Sequence, residues 1–421
     1  MAISTDRLAI HGGDPAVGRE LDHYKGAAYI GEEEKRAVME VLEARSLFRY
    51  YGPDLRYKAA GFEEAFAEYL SAPFVAGCSS GTAALRLALI GVGVGAGDEV
   101  ILPAVTFIAS VGAVVAQGAV PVFAEVDSHL TLDPASVEAL RTDRTRAIMP
   151  VHLTGVAADM DPLLEVAARH GVAVVEDAAQ ACGSEYRGRK VGAIGDAGAF
   201  SFQLEKNITS GEGGALATRD EETYRRAVRY ADQGGQFPIQ SGGVRDTVGG
   251  DPVMGENLRM SEIVGAILGC QLARLDGMLT RVVEVRRAVE EGLRGLPIEL
   301  PTPAPERDLH ALGVLFYLPT AETADRVAEA LQAEGVPAGK VYGGAPVYAS
   351  RQILERRTLT RGCPFSCTCT DHRKPEYWMG MCPRSEDLLA RGVGIAVGPR
   401  YSDEDVADVV HGLRKVLEQL V

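Results

Sequence analysis

Lys206 is the residue whose type and setting could do the most chemistry. It follows the apolar run Phe200-Ser201-Phe202 and precedes the glycine-rich stretch Ser210-Gly211-Glu212-Gly213-Gly214. A lysine partly withdrawn from water has a lowered pKa and can act as nucleophile and base. The ordinary reading of one Lys beside glycines is a solvated surface residue, so its neighbours must decide. Asp177 ends the run Val172–Glu176, with Gln180 three residues on. A carboxylate at a buried strand end is costly unless a cation or hydrogen bonds compensate it. The protonated ring nitrogen of a heterocycle is one such cation, and Gln180 could then meet a ring hydroxyl or face; a strand-end Asp capping the next turn is the plainer alternative. Ser79-Ser80-Gly81-Thr82 follows Val75–Cys78 and opens a helical pattern. Its free N–H groups, close approach at Gly81 and the Thr82 hydroxyl suit an anion, although Ser and Thr also begin most helices. Ser201 supplies a second hydroxyl for the same anion. Phe107, just past Ile101–Pro103, could stack on a flat ring, or could be core.

The elements that must position these residues are legible as periodicity. Helical spacing runs through Glu32–Arg45, Gly61–Leu70, Thr82–Leu89, Asp161–His170, Glu221–Ala231, Ser261–Leu293, Ala321–Glu334 and Ser402–Leu420. Between the earlier ones lie β-type runs at Phe74–Gly77, Glu99–Leu102, Val120–Ala124, Ala147–Val151, Val172–Glu176, Ala199–Phe202 and Ala215–Thr218. Strands alternating with helices predict an α/β fold with a mostly parallel sheet covered on both faces. Ligands of such sheets sit at the carboxyl ends of strands, where the candidate residues fall. Ser261–Leu293 reads as one connecting helix. A smaller C-terminal α/β domain is expected at 275–421, after a large domain at 1–274.

Bulk properties narrow the function classes. The chain has 421 residues, a formal net charge of −15 and 46% hydrophobic residues. No basic stripe suits nucleic acid or an anionic membrane surface. Met1–Val17 lacks the pattern of a signal peptide, and no run has the length of a membrane span. Seven cysteines, an odd number, fit reduced thiols in a cytoplasm.

Taken together, the motifs resemble the DegT/DnrJ/StrS type of pyridoxal-phosphate sugar aminotransferases, within the aspartate-aminotransferase fold (fold type I). The matching text is Gly52-Pro53, Ser80 to Leu85, Thr106-Phe107-Ile108-Ala109, Glu176 to Ala181, Phe200-Ser201-Phe202 through Lys206, Gly211 to Gly214, and Gly255 to Ser261. These pieces occur in the family's order from about residue 25 to 420. The resemblance implies a seven-stranded sheet, an imine between Lys206 and pyridoxal 5′-phosphate, and Asp177 as partner of the pyridine nitrogen. It further implies Gln180 near the ring oxygen, Phe107 on the ring face, and Gly81, Thr82 and Ser201 on the phosphate. Asn257, with Arg259, matches the segment that reaches the phosphate from the other subunit, so a homodimer is expected. An amino-acid donor, L-glutamate or L-glutamine, would then pass its amino group to a small-molecule ketone or aldehyde. The sequence departs from the family at Cys182, where His is frequent, and at Asp232-Gln233-Gly234, which lacks a frequent His-Gly pair. Ser46-Leu47-Phe48-Arg49-Tyr50-Tyr51 resembles a subgroup acting on the C8 carbonyl of an eight-carbon sugar acid. The acceptor is therefore open among keto-sugars, sugar aldehydes, cyclitol ketones and other natural-product carbonyls.

Three other readings compete. The glycines from Gly91 to Gly97 superficially suggest a dinucleotide loop, but they follow a helix and precede a strand, the wrong order. Cys363, Cys367, Cys369, His372 and Cys382 could hold a metal in a metal-stabilised variant, or be plain thiols of a substrate-side loop. Family dehydratases use the cofactor without a lysine imine and carry His where this chain has Lys206.

Overall fold

The computed structural model describes residues 7–234, 253–307, 310–360, 362–368 and 375–421. Seven strands form the central sheet: β1 (Phe74–Cys78), β2 (Glu99–Pro103), β3 (Val120–Ala124), β4 (Thr145–Ile148), β5 (Ala173–Asp177), β8 (Ala197–Ser201) and β9 (Gly214–Thr218). A two-stranded hairpin, β6 (Glu185–Tyr186) with β7 (Arg189–Lys190), lies between β5 and β8 in sequence. The sheet order is β1-β9-β8-β5-β4-β2-β3. β3, β2, β4, β5 and β8 run parallel, whereas β9 is antiparallel to both β8 and β1. The inner runs are apolar almost throughout because helices cover both faces.

The break in parallel order has a consequence for the site. β9 returns from the Lys206 loop antiparallel to β8, and its register pairs Ser201 with Gly214 and Cys78 with Gly214. One glycine therefore lies between the ends of β1 and β8. A Cβ there would come 2.3 Å from the Ser80 carbonyl oxygen. Only a bare backbone lets the strand end carrying Ser201 lie against the helix that starts at Gly81.

The expected helix from Ser261 to Leu293 is instead two, Glu262–Leu272 and Leu275–Gly292, bent by 57°. No Pro or Gly marks the bend, and apolar spacing continues through it, so periodicity could not reveal it. Tertiary anchors fix it: Gln271 donates to Glu34 at 3.3 Å, and Arg274 pairs with Glu33 at 3.2 Å and with Glu34. Four further helices escaped the periodicity, the single-turn Arg351–Leu354 among them. Ile108–Ala116 is too apolar to show a polar face, Pro134–Leu140 spans only about two turns, and Pro383–Arg391 starts on a proline. The C-terminal part builds a separate antiparallel sheet, β10 (Gly313–Tyr317), β12 (Gly392–Ala396) and β11 (Ala338–Lys340), in that order. Gly91–Val92 ends a helix and leads by a turn into β2, as expected of a connection. No single described helix is long and apolar enough to cross a membrane.

Aromatic packing supports the strand that leads to Lys206. Phe66, fully buried on the helix Lys58–Leu70, meets Phe200 edge-on at 4.9 Å, Phe202 at 5.8 Å and Phe62 at 5.4 Å between ring centres. Phe200 and Phe202 flank Ser201 on the opposite side of the alternation. Phe66→Ala is expected to cost about 3–5 kcal/mol of unfolding free energy, read as a lowered urea midpoint with an unchanged slope.

Candidate active site

Asp177 closes β5, and its side chain is 5% exposed. One carboxylate oxygen accepts the Ser110 hydroxyl at 2.7 Å, and the other accepts the Ala179 amide at 3.1 Å. Thr106 and Ser110 hydroxyls lie 2.7 Å apart, which extends the chain of hydrogen bonds. Burial pushes the Asp177 carboxyl above the usual aspartate range, while Ser110, the Ala179 amide and the positive charge of Lys206 pull it back. The preceding Glu176 points to the other face and is fully buried. Its oxygens accept the Gly192 amide at 2.8 Å, the Ile194 and Gly195 amides at 2.7 Å each, and His152 Nε2 at 2.9 Å. His152 Nδ1 accepts the Ala158 amide at 3.0 Å, so the ring is the neutral tautomer that donates from Nε2. Burial opposes ionisation of Glu176, but the His152 bond and the loop amides outweigh it and hold the pKa below normal.

Lys206 lies in the loop after β8 and is partly buried. Burial lowers its pKa, against the pull of Asp177 and Glu205. The loop is fixed on both sides. The Lys206 carbonyl accepts the Gly26 amide at 3.2 Å, and the Asn207 side chain donates to the Cys182 carbonyl at 2.7 Å. A cavity of about 440 Å³ opens on Lys206, lined also by Lys25, Gln180, Glu205, Thr154 and Tyr342. Gln180 accepts the Thr154 amide at 3.2 Å and donates to the Tyr342 hydroxyl at 2.9 Å. Burial pushes Tyr342 up to about 12, so its hydroxyl stays protonated.

The remaining predicted residues fall into two groups. Gly81 begins the helix Gly81–Gly91, and a Cβ there would meet Ser201 Cβ at 2.6 Å and Oγ at 3.0 Å. Ser80, not Thr82, caps the helix by accepting the Ala83 amide at 3.1 Å, which leaves the exposed Thr82 hydroxyl at the open end. Phe107 is 58% exposed, so it is not core. Asn257 and Arg259 lie elsewhere. Their segment pairs with the end of β1 through Cys78 and Arg259 and through the Ser79 amide on the Leu258 carbonyl at 2.8 Å. Arg259 is committed to Asp232 at 2.5 Å and stacks over Phe48 at 5.2 Å, while Asn257 is exposed.

Residues 28–414 match the model of the DegT/DnrJ/EryC1/StrS aminotransferase family. The chain belongs to that family. It is 38% identical over 400 residues to a dTDP-3-amino-3,4,6-trideoxy-alpha-D-glucose transaminase of Streptomyces venezuelae, covering 94% of this chain and 95% of the relative. It is 39% identical over 373 residues to an L-glutamine:2-deoxy-scyllo-inosose aminotransferase of Streptomyces fradiae, covering 85% of each. The crystal structure of S. venezuelae DesV in complex with a ketimine intermediate is similar with a TM-score of 0.78 and 35% identity, over 92% of this chain and 95% of that one. This member is an aminotransferase of fold type I that uses pyridoxal 5′-phosphate. Its residues fit that group: a buried carboxylate with hydrogen bonds but, among the described residues, no ion-pair partner, and a helix start where a Cβ would collide with Ser201.

The family's variable positions have defined surroundings here. Cys182 is buried in the core and its thiol is pushed up to about 12 by burial, so its contribution is the carbonyl that holds Asn207. Asp232 anchors Arg259. Arg49 makes a buried two-point pair with Glu63, at 2.9 and 2.6 Å, and Glu63 accepts the Gly77 amide at 2.7 Å, so the Ser46–Tyr51 stretch buttresses β1. Cys367 is disulfide-bonded, contrary to the expectation of reduced thiols throughout, whereas Cys363 and Cys382 form no disulfide. Oxidation removes Cys367 as a thiolate ligand. Among the described residues no group of three or more metal-ligating side chains gathers, and Cys369 and His372 lie outside those residues. Sequence reasoning missed Ser110 and Tyr342. Ser110 lies one turn after Thr106, so a helix starting there was its only signal; Tyr342 carried none, being brought in from 162 residues beyond Gln180.

Two expectations follow. Ser110→Ala removes a hydrogen bond to ionised Asp177, so kcat should fall about tenfold and the acid limb of the rate profile should move to higher pH. Glu176 has a depressed pKa in the folded state, so its stabilisation is present above its ordinary value of 4.5 and is lost as pH falls through the folded value. Glu176→Gln should therefore lower stability near neutrality and flatten its loss on acidification, measured by urea unfolding across the acid range.

Proposed function

We propose that this chain transfers the amino group of L-glutamine or L-glutamate to the ketone or aldehyde of a sugar or cyclitol, with Lys206 as imine-forming residue and proton carrier. The observation carrying this reading is the juxtaposition of two groups: a half-buried lysine of lowered pKa opens on a cavity, and a buried aspartate lies close enough to feel the lysine's charge. The relatives' names support the substrate class, since one acts on a nucleotide-linked amino sugar and another on a cyclitol ketone with L-glutamine.

Bound pyridoxal 5′-phosphate supplies an electron sink that stabilises negative charge at the donor's α-carbon. Asp177, kept as a carboxylate by Ser110, would hold the protonated ring nitrogen and strengthen that sink. Gln180, fixed by Thr154 and Tyr342, would contact the ring oxygen, and Phe107 would stack on the ring. Gly81, Thr82 and Ser201 would cradle the phosphate with the helix start. The Lys206 side chain would hold the cofactor's aldehyde carbon, and its neutral amine, favoured by burial, would carry the proton taken from the donor's α-carbon. The acceptor is aminated by the same steps reversed.

The exposed Asn257 supports a homodimer in which this residue completes the partner's phosphate site, with Arg259 holding the segment through Asp232. The division into domains at 1–274 and 275–421 belongs to the same reading and is supported by the helix bend between Leu272 and Leu275. A cytoplasmic location is consistent with it.

The test is spectroscopic and kinetic. Protein loaded with the cofactor should absorb in the visible, lose that band on reaction with L-glutamine or L-glutamate, and regain it with one member of a panel of keto-sugars and cyclitol ketones. Lys206→Ala should lack the band and lose at least about 10²-fold in rate. A variant that keeps both would remove Lys206 from its role.

A further inference from the structure

The cavity that opens on Lys206 carries a cation that the proposed mechanism leaves unused. Three lysines line it, Lys25, Lys206 and Lys340, and no arginine does. Lys340 is paired with Asp325 at 2.7 Å. Among the described residues no hydrogen bond or ion pair engages the Lys25 ammonium; Glu205 and Lys206 act on it only through their fields.

We infer that Lys25 seats the α-carboxylate of the amino donor beside Lys206. This rests on the transaminase reading above. Three observations carry it. First, Lys25 is held next to Lys206 by backbone. Gly26 donates to the Lys206 carbonyl at 3.2 Å, and a Cβ on Gly26 would sit 2.8 Å from Ile208 Cα and 2.9 Å from the Asn207 carbonyl oxygen. The segment is wedged against the Lys206 loop, so the two backbones stay adjacent and both side chains open on the same cavity. Second, Lys25 opens on the cavity shared with Gln180 and Tyr342, whereas Gly81, Thr82 and Ser201 do not line it. The anion it meets is therefore the substrate's and not the cofactor's phosphate. Third, an anion held this near Lys206 must lie close to the carbon that reacts there. The α-carboxylate of an amino acid is one bond from that carbon, whereas a phosphate on a sugar acceptor lies several bonds away. Burial, with repulsion from Lys206, pushes Lys25 down to about 8, against the pull of Glu205. An arriving carboxylate would offset both penalties and fix the α-carbon against Lys206.

The test pairs deletion of the cation with deletion of the carboxylate. Cofactor-loaded full-length protein, Lys25→Met and Lys25→Arg are compared in the first half-reaction, followed by loss of the visible band. L-glutamine and L-glutamate are set against 4-aminobutanamide and 4-aminobutanoate, the same amines without the α-carboxylate. Lys25→Met should cut the preference for the amino acids about tenfold or more. Its cofactor spectrum and its return half-reaction with acceptor should stay within about twofold of wild type, and Lys25→Arg should restore part of the preference. Equilibrium binding of glutaramate, a carboxylate with no amino group to react, should weaken in parallel. Unchanged preference in Lys25→Met, or a loss confined to the acceptor half-reaction, overturns the assignment of Lys25 alone. A wild-type protein that reacts with neither amino acid overturns the transaminase reading and this inference with it.

Discussion

The structure depends on where two adjacent carboxylates are put. Glu176 and Asp177 end a parallel strand in the middle of the sheet, and both are withdrawn from water. Alternation sends them to opposite faces, and each face meets the burial cost differently. Glu176 is satisfied within the chain by three loop amides and a neutral His152, so it remains charged and inert. Asp177 receives one hydroxyl and one amide and remains short of positive charge. The same strand end thus holds a finished structural acid beside an unfinished one. The first holds the second rigid: His152 binds Glu176 by its ring and the Asp177 carbonyl by its amide at 3.0 Å.

The amine facing that acid is fixed by means of the same kind. A flexible lysine loop would spend entropy each time it met a substrate. Here the Lys206 amide closes a turn on the Gln203 carbonyl at 2.9 Å, the residue after it is tied to Cys182, and its own carbonyl is capped by the N-terminal segment. Only the side chain is left to move, as the proton-carrying role proposed for it requires.

How much of this was legible follows from range. All seven strands of the main sheet stood in the sequence as apolar runs, because a strand buried on both faces leaves a local compositional mark. Ser201, Gly81, Asp177 and Lys206 were legible because each sits at the end of such a run. The bend between Leu272 and Leu275 was not, since side chains of the first helix cause it. Ser110 was hidden inside a helix too apolar to show a period, and Tyr342 reaches Gln180 from the turn just after β11. Thr82 shows a subtler limit. A Ser-Ser-Gly-Thr string marks a helix start, but which hydroxyl caps and which is left for an anion depends on backbone dihedrals: Ser80 is extended at φ −168 and takes the cap.

The acceptor is harder to read for a reason built into the cavity. On the side of the second sheet, Gly313, Gly339 and Gly394 line it, together with Pro337, Ala396 and Val341. The three glycines leave part of this wall to the backbone of β10, β11 and β12, beside the side chains of Val314, Leu315, Lys340 and Ile395. The spacing between the two sheets also shapes the cavity. That spacing is set by contacts such as Gly155, where a Cβ would meet the His310 carbonyl oxygen at 2.4 Å, and the Leu312 amide on the Thr154 carbonyl at 2.7 Å. Thr154 also binds Gln180 through its amide, so the peptide groups around one residue link the position of the second sheet to the orientation of the side chain proposed to touch the cofactor.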